Sequence, residues 1–96
     1  MDTRAMTVVH IRVTGRVQGV GFRYYTYEAA LELEICGWVR NRPDRSVEIL
    51  AQGTPQNLDA FVEAVRRGPT SSRVEDVIIR PVTEEKTLSS FDIKIF

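Results

Sequence analysis

The chain has 96 residues, 43% of them apolar, and its thirteen basic and thirteen acidic side chains cancel to a formal charge of zero. That length makes one domain, able to bury only about 60–68% of the surface its unfolded form exposes. The charge balance argues against a nucleic-acid binder working through a general basic field, though not against one focused anion site. Cys36 is the single cysteine, which excludes an intrachain disulfide and any need for an oxidising compartment.

Met1–Thr7 is polar, with no apolar stretch of the signal-peptide kind, and reads as a loose tail before a domain over 8–96. No run approaches the ~18 apolar residues of a membrane span, so a soluble cytoplasmic protein is expected, with no membrane partner. Val9, Ile11 and Val13 alternate with His10, Arg12 and Thr14, which predicts a strand over Val8–Thr14 with one buried face. A glycine-punctuated loop follows, from Gly15 to Gly21. From Phe22 the period turns helical, with Phe22, Thr26, Ala29, Ala30 and Leu33 on one face. Cys36–Asn41 and Ser46–Gln52 are rich in strand formers, and Pro43-Asp44 between them signals the turn of a hairpin.

The second helix has the clearest signals. Thr54 suits the N-cap and Pro55 the first helical position. Leu58, Phe61, Val62 and Val65 form the apolar stripe, and Gly68-Pro69 ends it. Val74–Arg80 then reads as a strand, Pro81–Ser89 as a polar loop in which Glu84-Glu85 is a solvated pair, and Phe91, Ile93 and Ile95 as a short terminal strand. The order is βαββαβ plus that extra strand. Two helices cover only one face of such a sheet, so the expected fold is α+β: a ferredoxin-like sandwich with a mostly antiparallel sheet and its other face toward solvent.

A strand, a glycine-rich turn and a helix start in succession favour anion binding. Gly19 and Gly21 can adopt φ > 0, so successive N–H groups converge. The first N–H groups of the helix lack intrahelical partners and carry partial positive charge. Arg23, in the first turn, can swing back to the loop and grip phosphate oxygens with a planar fork. On the residues alone, glycines kept for tight packing and an arginine left in solvent remain an equal alternative. There is no Gly-Lys-Ser/Thr, and Tyr24 occupies the third glycine position of the dinucleotide fingerprint.

Val13-Thr14-Gly15-Arg16-Val17-Gln18-Gly19-Val20-Gly21-Phe22-Arg23 resembles the first signature of the acylphosphatase family. Gly37-Trp38-Val39-Arg40-Asn41, followed by Val47 and Gly53, resembles the second, and Gly68-Pro69 and Arg73-Val74 match common family positions. The resemblance spans about Val8 to Phe96. It implies hydrolysis of acyl phosphates to a carboxylate and inorganic phosphate, without metal, cofactor or covalent intermediate; the oligomeric state is open, with a monomer as the default expectation. Arg23 and the loop amides of Gln18, Gly19, Val20, Gly21 and Phe22 would bind the phosphoryl oxygens, and Asn41 would orient the water. Inorganic phosphate would be both product and inhibitor. Glu34 and Arg45 stand where the family usually has glycine.

Other chemistries fit less well. Cys36 to Arg42 matches Cys-x5-Arg, the loop of thiol phosphatases, but Trp38 and Val39 within it are strand residues, so Cys36 reads as a small buried core residue. A non-enzymatic ferredoxin-like module binding RNA or a ligand would need exposed aromatics on central strands, and Trp38 is the only one there. Acylphosphatase-like domains also open larger carbamoyl-transfer maturation proteins, whereas this chain is expected to end after one domain. His10, the only histidine, falls at an exposed strand position, Asp92 and Lys94 on the polar face of the last strand. No His, Cys, Asp or Glu set has metal-ligand spacing.

Overall fold

Strand alternation and helical stripes resolve into seven elements in the computed structural model, which describes residues 6–83 and 88–95. They are β1 (Thr7–Arg16), α1 (Phe22–Glu32), β2 (Cys36–Asn41), β3 (Val47–Gly53), α2 (Pro55–Arg67), β4 (Arg73–Pro81) and β5 (Phe91–Lys94). The sheet runs β4-β1-β3-β2-β5, antiparallel throughout except for the parallel pair β2–β5. Both helices lie on one face and the fold is ferredoxin-like, as the element order predicts. No helix among the described residues is long and apolar enough to cross a membrane.

The core fills the space between sheet and helices. Ile11, Val13, Val39, Val47 and Ile49 point there from three central strands, and Phe22, Phe61 and Val65 meet them from above, all of them buried. Each such side chain contributes about 1.5–3 kcal/mol by leaving water. The α2 boundaries follow local chemistry. Thr54 Oγ1 accepts a hydrogen bond from Asn57 N at 3.2 Å, Pro55 opens the helix, and Gly68 closes it at φ 65.

Several boundaries differ from the sequence expectation. β1 starts at Thr7, paired with Gly53, and continues to Arg16 past a register shift between Thr14 and Gly15. Gly15 makes that extension feasible: at φ +123 a Cβ there would lie 2.1 Å from the Arg73 carbonyl oxygen of β4. β5 ends at Lys94, opposite Arg40, so Ile95 has no partner strand and is 85% exposed. Of the expected N-terminal tail, residues 1–5 lie outside the described residues, as do Glu84 and Glu85 of the polar loop.

Only two non-glycine residues among those described have positive φ, Glu34 at 58° and Arg45 at 77°. Glu34 ends α1 in a Schellman arrangement: Ile35 N donates to Ala30 O at 2.8 Å and Glu34 N to Leu31 O at 3.4 Å. That arrangement puts its last residue but one, here Glu34, in the left-handed region, where glycine carries no Cβ penalty. Arg45 sits in the β2–β3 turn, its N–H bonded to Arg42 O at 3.0 Å. Arg45→Gly is therefore expected to raise unfolding free energy by about 0.5–1 kcal/mol, read by urea denaturation. An equal or lower stability would mean that the Arg45 side chain offsets the backbone strain.

Candidate active site

The loop after β1 is fixed at both ends by buried apolar side chains, Val17 before the glycines and Phe22 after them. Between these, Gly19 and Gly21 adopt φ 73 and 77, and a Cβ at either would meet nothing within 4 Å. Glycine is thus needed for backbone angle and not for space, and the loop faces an open volume. Gly21 is the N-cap of α1; no side chain caps the helix there and no acidic residue lies in its first turn. The first intrahelical bond is Tyr25 N to Gly21 O at 3.0 Å. The N–H groups of Phe22, Arg23 and Tyr24 therefore precede the ladder, with the positive end of the helix dipole behind them.

Arg23 extends from this first turn and its Nη1 donates to the Lys94 carbonyl oxygen of β5 at 3.0 Å. One of five guanidinium donors is thereby used to fix the plane of the group. Asn41 is the last residue of β2. It shares the helix-side face of the sheet with Val39, in a row with Val47 of β3 and Val13 of β1. Two strand spacings, roughly 10 Å, separate its backbone from β1, and the loop leaving β1 bends across that interval. Asn41 Oδ1 is buried with no hydrogen-bond partner among the described residues; the other such oxygen, Gln52 Oε1, is at the far end of β3.

These groups meet in a pocket of about 270 Å³ lined by Val17, Gly19, Gly21, Phe22, Arg23, Tyr24, Asn41 and Ile93. Two candidate residues from the sequence are not in its wall. Gln18 turns its side chain to the β2–β3 turn, donating from Nε2 to Arg42 O and Ser46 O at 2.8 Å each. Val20 packs against the core, and its carbonyl accepts from Ser71 Oγ at 3.2 Å. Val17, Tyr24 and Ile93 were not anticipated in the wall. Tyr24 was visible only as the neighbour of Arg23, and Ile93 arrives through the parallel β2–β5 pairing, which no local signal reveals. A larger groove of about 570 Å³ between α2 and β1–β4 is lined by Val9, Leu58, Val62 and Ile79 together with Asp59, Glu63 and Arg66. It contains none of the loop amides.

Among the described residues Arg23 is the one formally charged residue in the smaller pocket's wall, and none there is a carboxylate, imidazole or thiol. The two carboxylates of the β2–β3 hairpin are committed to other partners. Asp44 accepts from Ser46 Oγ at 2.6 Å and Ser46 N at 3.0 Å, and from Arg12 Nη2 at 2.6 Å; these bonds keep its carboxyl far below the usual range. Burial pushes the Glu48 carboxyl up, but His10 at 2.6 Å and Arg40 at 2.7 Å outweigh it and leave the group below its ordinary value. Both acids are ionised at neutral pH and are poor proton donors there. The Glu28 carboxylate, by hydrogen bond and charge, holds the Tyr24 phenol above its ordinary value, so Tyr24 stays neutral. His10 is only half-exposed through its pairing with Glu48.

The thiol alternative fails on geometry. Cys36 begins β2 and Asn41 ends it, roughly 17 Å apart at strand rise, and the intervening residues are extended strand, not an amide cradle. Cys36 is also half-exposed on the outer sheet face, not buried as expected. On that same face Trp38 has Arg40 at 5.1 Å and Lys94 at 5.2 Å from its ring centroid, so the protein's own cations already occupy the one candidate stacking surface.

Comparison with known proteins gives a consistent pattern. The family model described as Acylphosphatase matches residues 9–93. An acylphosphatase of Oceanobacillus iheyensis is 48% identical over 90 residues, covering 93% of this chain and 99% of that protein. The crystal structure of acylphosphatase from Bacillus subtilis superposes with a TM-score of 0.89 at 42% identity, covering 92% of this chain and 98% of the other. Full-length HypF, in its phosphate- and nucleotide-bound form, gives a TM-score of 0.86 at 25% identity, but only 12% of that chain is involved.

Proposed function

The chain belongs to the acylphosphatase family and is a hydrolase of acyl phosphates, and from that premise we propose that Arg23 holds the phosphoryl group while Asn41 aims the attacking water. The observation that carries this reading is that Asn41 lines the same pocket as Arg23 and the glycine loop, with its buried Oδ1 unpartnered among the described residues. A buried acceptor without a partner costs about 1–3 kcal/mol, which a water donating to it would relieve. The N–H groups over Gly19–Phe22 and the free edge of the Arg23 guanidinium supply donors for three phosphoryl oxygens.

The water oxygen attacks phosphorus as the bond from phosphorus to the acyl oxygen breaks. The carboxylate leaves with the electron pair, and the water's proton passes to the product phosphate or to solvent. Such a leaving group is stable as an anion and needs no acid, so positioning and charge stabilisation suffice. That the wall offers no carboxylate, imidazole or thiol favours a route without metal or phosphoenzyme. Inorganic phosphate fits the same donors and would inhibit as a competitive ligand. A monomer in the cytoplasm suits this chemistry, and the lone Cys36 asks for no oxidising surroundings.

The test is phosphate release by purified protein from acetyl or benzoyl phosphate, with and without a chelator. Turnover is expected to be unchanged by chelator, with little action on an alkyl phosphate monoester, whose leaving group needs protonation. Complete loss in chelator, restored by a divalent ion, would contradict the metal-free route.

A further inference from the structure

The phosphate loop and the strand end bearing Asn41 are each held in shape by their own contacts. The loop has Val17 and Phe22 buried on either side of its glycines, and Val20 O receives the Ser71 hydroxyl. The β2–β3 turn closes on itself through Arg42 N to Ser46 O at 2.9 Å, with Asp44 accepting from Ser46 N at 3.0 Å. What joins the two is Gln18. Its Nε2 donates both protons, to Arg42 O and to Ser46 O, each at 2.8 Å. Among the described residues no other hydrogen bond links 17–21 to 42–46. Arg12 reaches the same turn through Asp44 at 2.6 Å, but it ties the turn to β1, and both side chains are about half exposed.

We propose that Gln18 is a positioning residue: its side-chain amide sets the separation between the phosphate loop and Asn41, and so the distance from bound phosphate to attacking water. This rests on the reading of Asn41 given above. One NH2 group bridging the two carbonyls that close a turn is a stiff spacer, because both donors are used and neither acceptor can shift without breaking a bond. The turn follows Asn41 directly, so a shift of Arg42 O carries the Asn41 amide with it. Misplacement of about 1 Å in a reacting group can cost on the order of 10² in rate. The proposed phosphate donors, the N–H groups over Gly19–Phe22 and the Arg23 guanidinium, are separate from the Gln18 side chain, which bonds Arg42 O and Ser46 O instead.

Gln18→Met keeps side-chain length and removes both donors. It is expected to lower kcat about 10- to 100-fold while the inhibition constant for inorganic phosphate stays within about threefold. In an Asn41→Ala background the same substitution should change kcat less than about twofold, because no water-aiming amide remains to be misplaced. Arg12→Ala, which loosens the turn from the other side, should leave kcat within about twofold, as exposed ion pairs contribute little. If Gln18→Met fails to fold by circular dichroism, Gln18→Asn, whose amide is one carbon too short to bridge, takes its place.

An unchanged kcat in the folded variant overturns the inference, as does an equal loss in the Asn41→Ala background or in Arg12→Ala. Phosphate inhibition weakened as much as kcat also overturns it, since Gln18 would then serve the phosphate. Near-normal kcat in Asn41→Ala alone removes the water-positioning reading and this inference together. A normal Gln18→Met beside a crippled Asn41→Ala removes the inference only.

Discussion

Arg23→Ala is expected to lower kcat/KM for an acyl phosphate by about 10³–10⁵, the range seen when an arginine is withdrawn from a phosphoryl-transfer site. The size follows from its isolation, since no other described residue in the pocket wall bears a formal charge. As the bond to the acyl oxygen stretches, charge redistributes over oxygens that only Arg23 and backbone dipoles can face. Arg23→Lys should recover little. The guanidinium holds Lys94 O at 3.0 Å with one nitrogen, leaving a planar edge for two phosphoryl oxygens. An ammonium on a flexible stem cannot serve both in one fixed geometry. Phosphate inhibition should weaken along with kcat in both variants. If the phosphate inhibition constant were unchanged in Arg23→Ala, the guanidinium would not be touching the phosphoryl group.

Most of the fold was legible because its signals are local. Thr54, Pro55 and Gly68 each mark α2 through the chemistry of one helix end, and Val9, Ile11 and Val13 mark the buried face of β1 through period alone. The misses are places where a distant strand decides. β1 runs beyond Thr14 because β4 approaches Gly15 closely, and β5 stops at Lys94 because its pairing with β2 stops at Arg40. Cys36 was expected in the core, yet alternation with Gly37 and Val39, both buried, puts it on the outer face beside Trp38 and Arg40. That parity was readable. His10 was expected in solvent, and only the register that pairs it with Leu50, two residues from Glu48 on β3, brings its ring to a carboxylate.

Within the candidate site, the unit carrying Arg23 was readable from physics, since strand, glycine turn and helix start are contiguous in the chain. Asn41 was not. It lies beside the loop because β3 is inserted between β1 and β2 and sets Val13, Val47 and Asn41 in one row, and only the family resemblance pointed to it. Arg45 and Glu34 show the same limit: nothing about an arginine or a glutamate announces φ 77 or 58, and the resemblance alone marked both as glycine positions. Gln18 was counted for its backbone amide, while the reach of its side chain to the β2–β3 turn depends on tertiary contact.

Asn41 carries the part of the account that is most exposed to test. In the proposed mechanism its amide faces the water and not the phosphate, so Asn41→Ala should lower kcat by about 10²–10³, the scale of losing one preorganised polar group at the reacting centre, while phosphate still binds the loop and Arg23. The folded state should tolerate the change, because Oδ1 has no partner among the described residues to lose. The decisive measurement is kcat for benzoyl phosphate beside the inhibition constant for inorganic phosphate, both on folded Asn41→Ala. A collapse of kcat with phosphate inhibition within a few-fold is the predicted result. Near-normal kcat would contradict it and leave Asn41 as no more than the residue that ends β2.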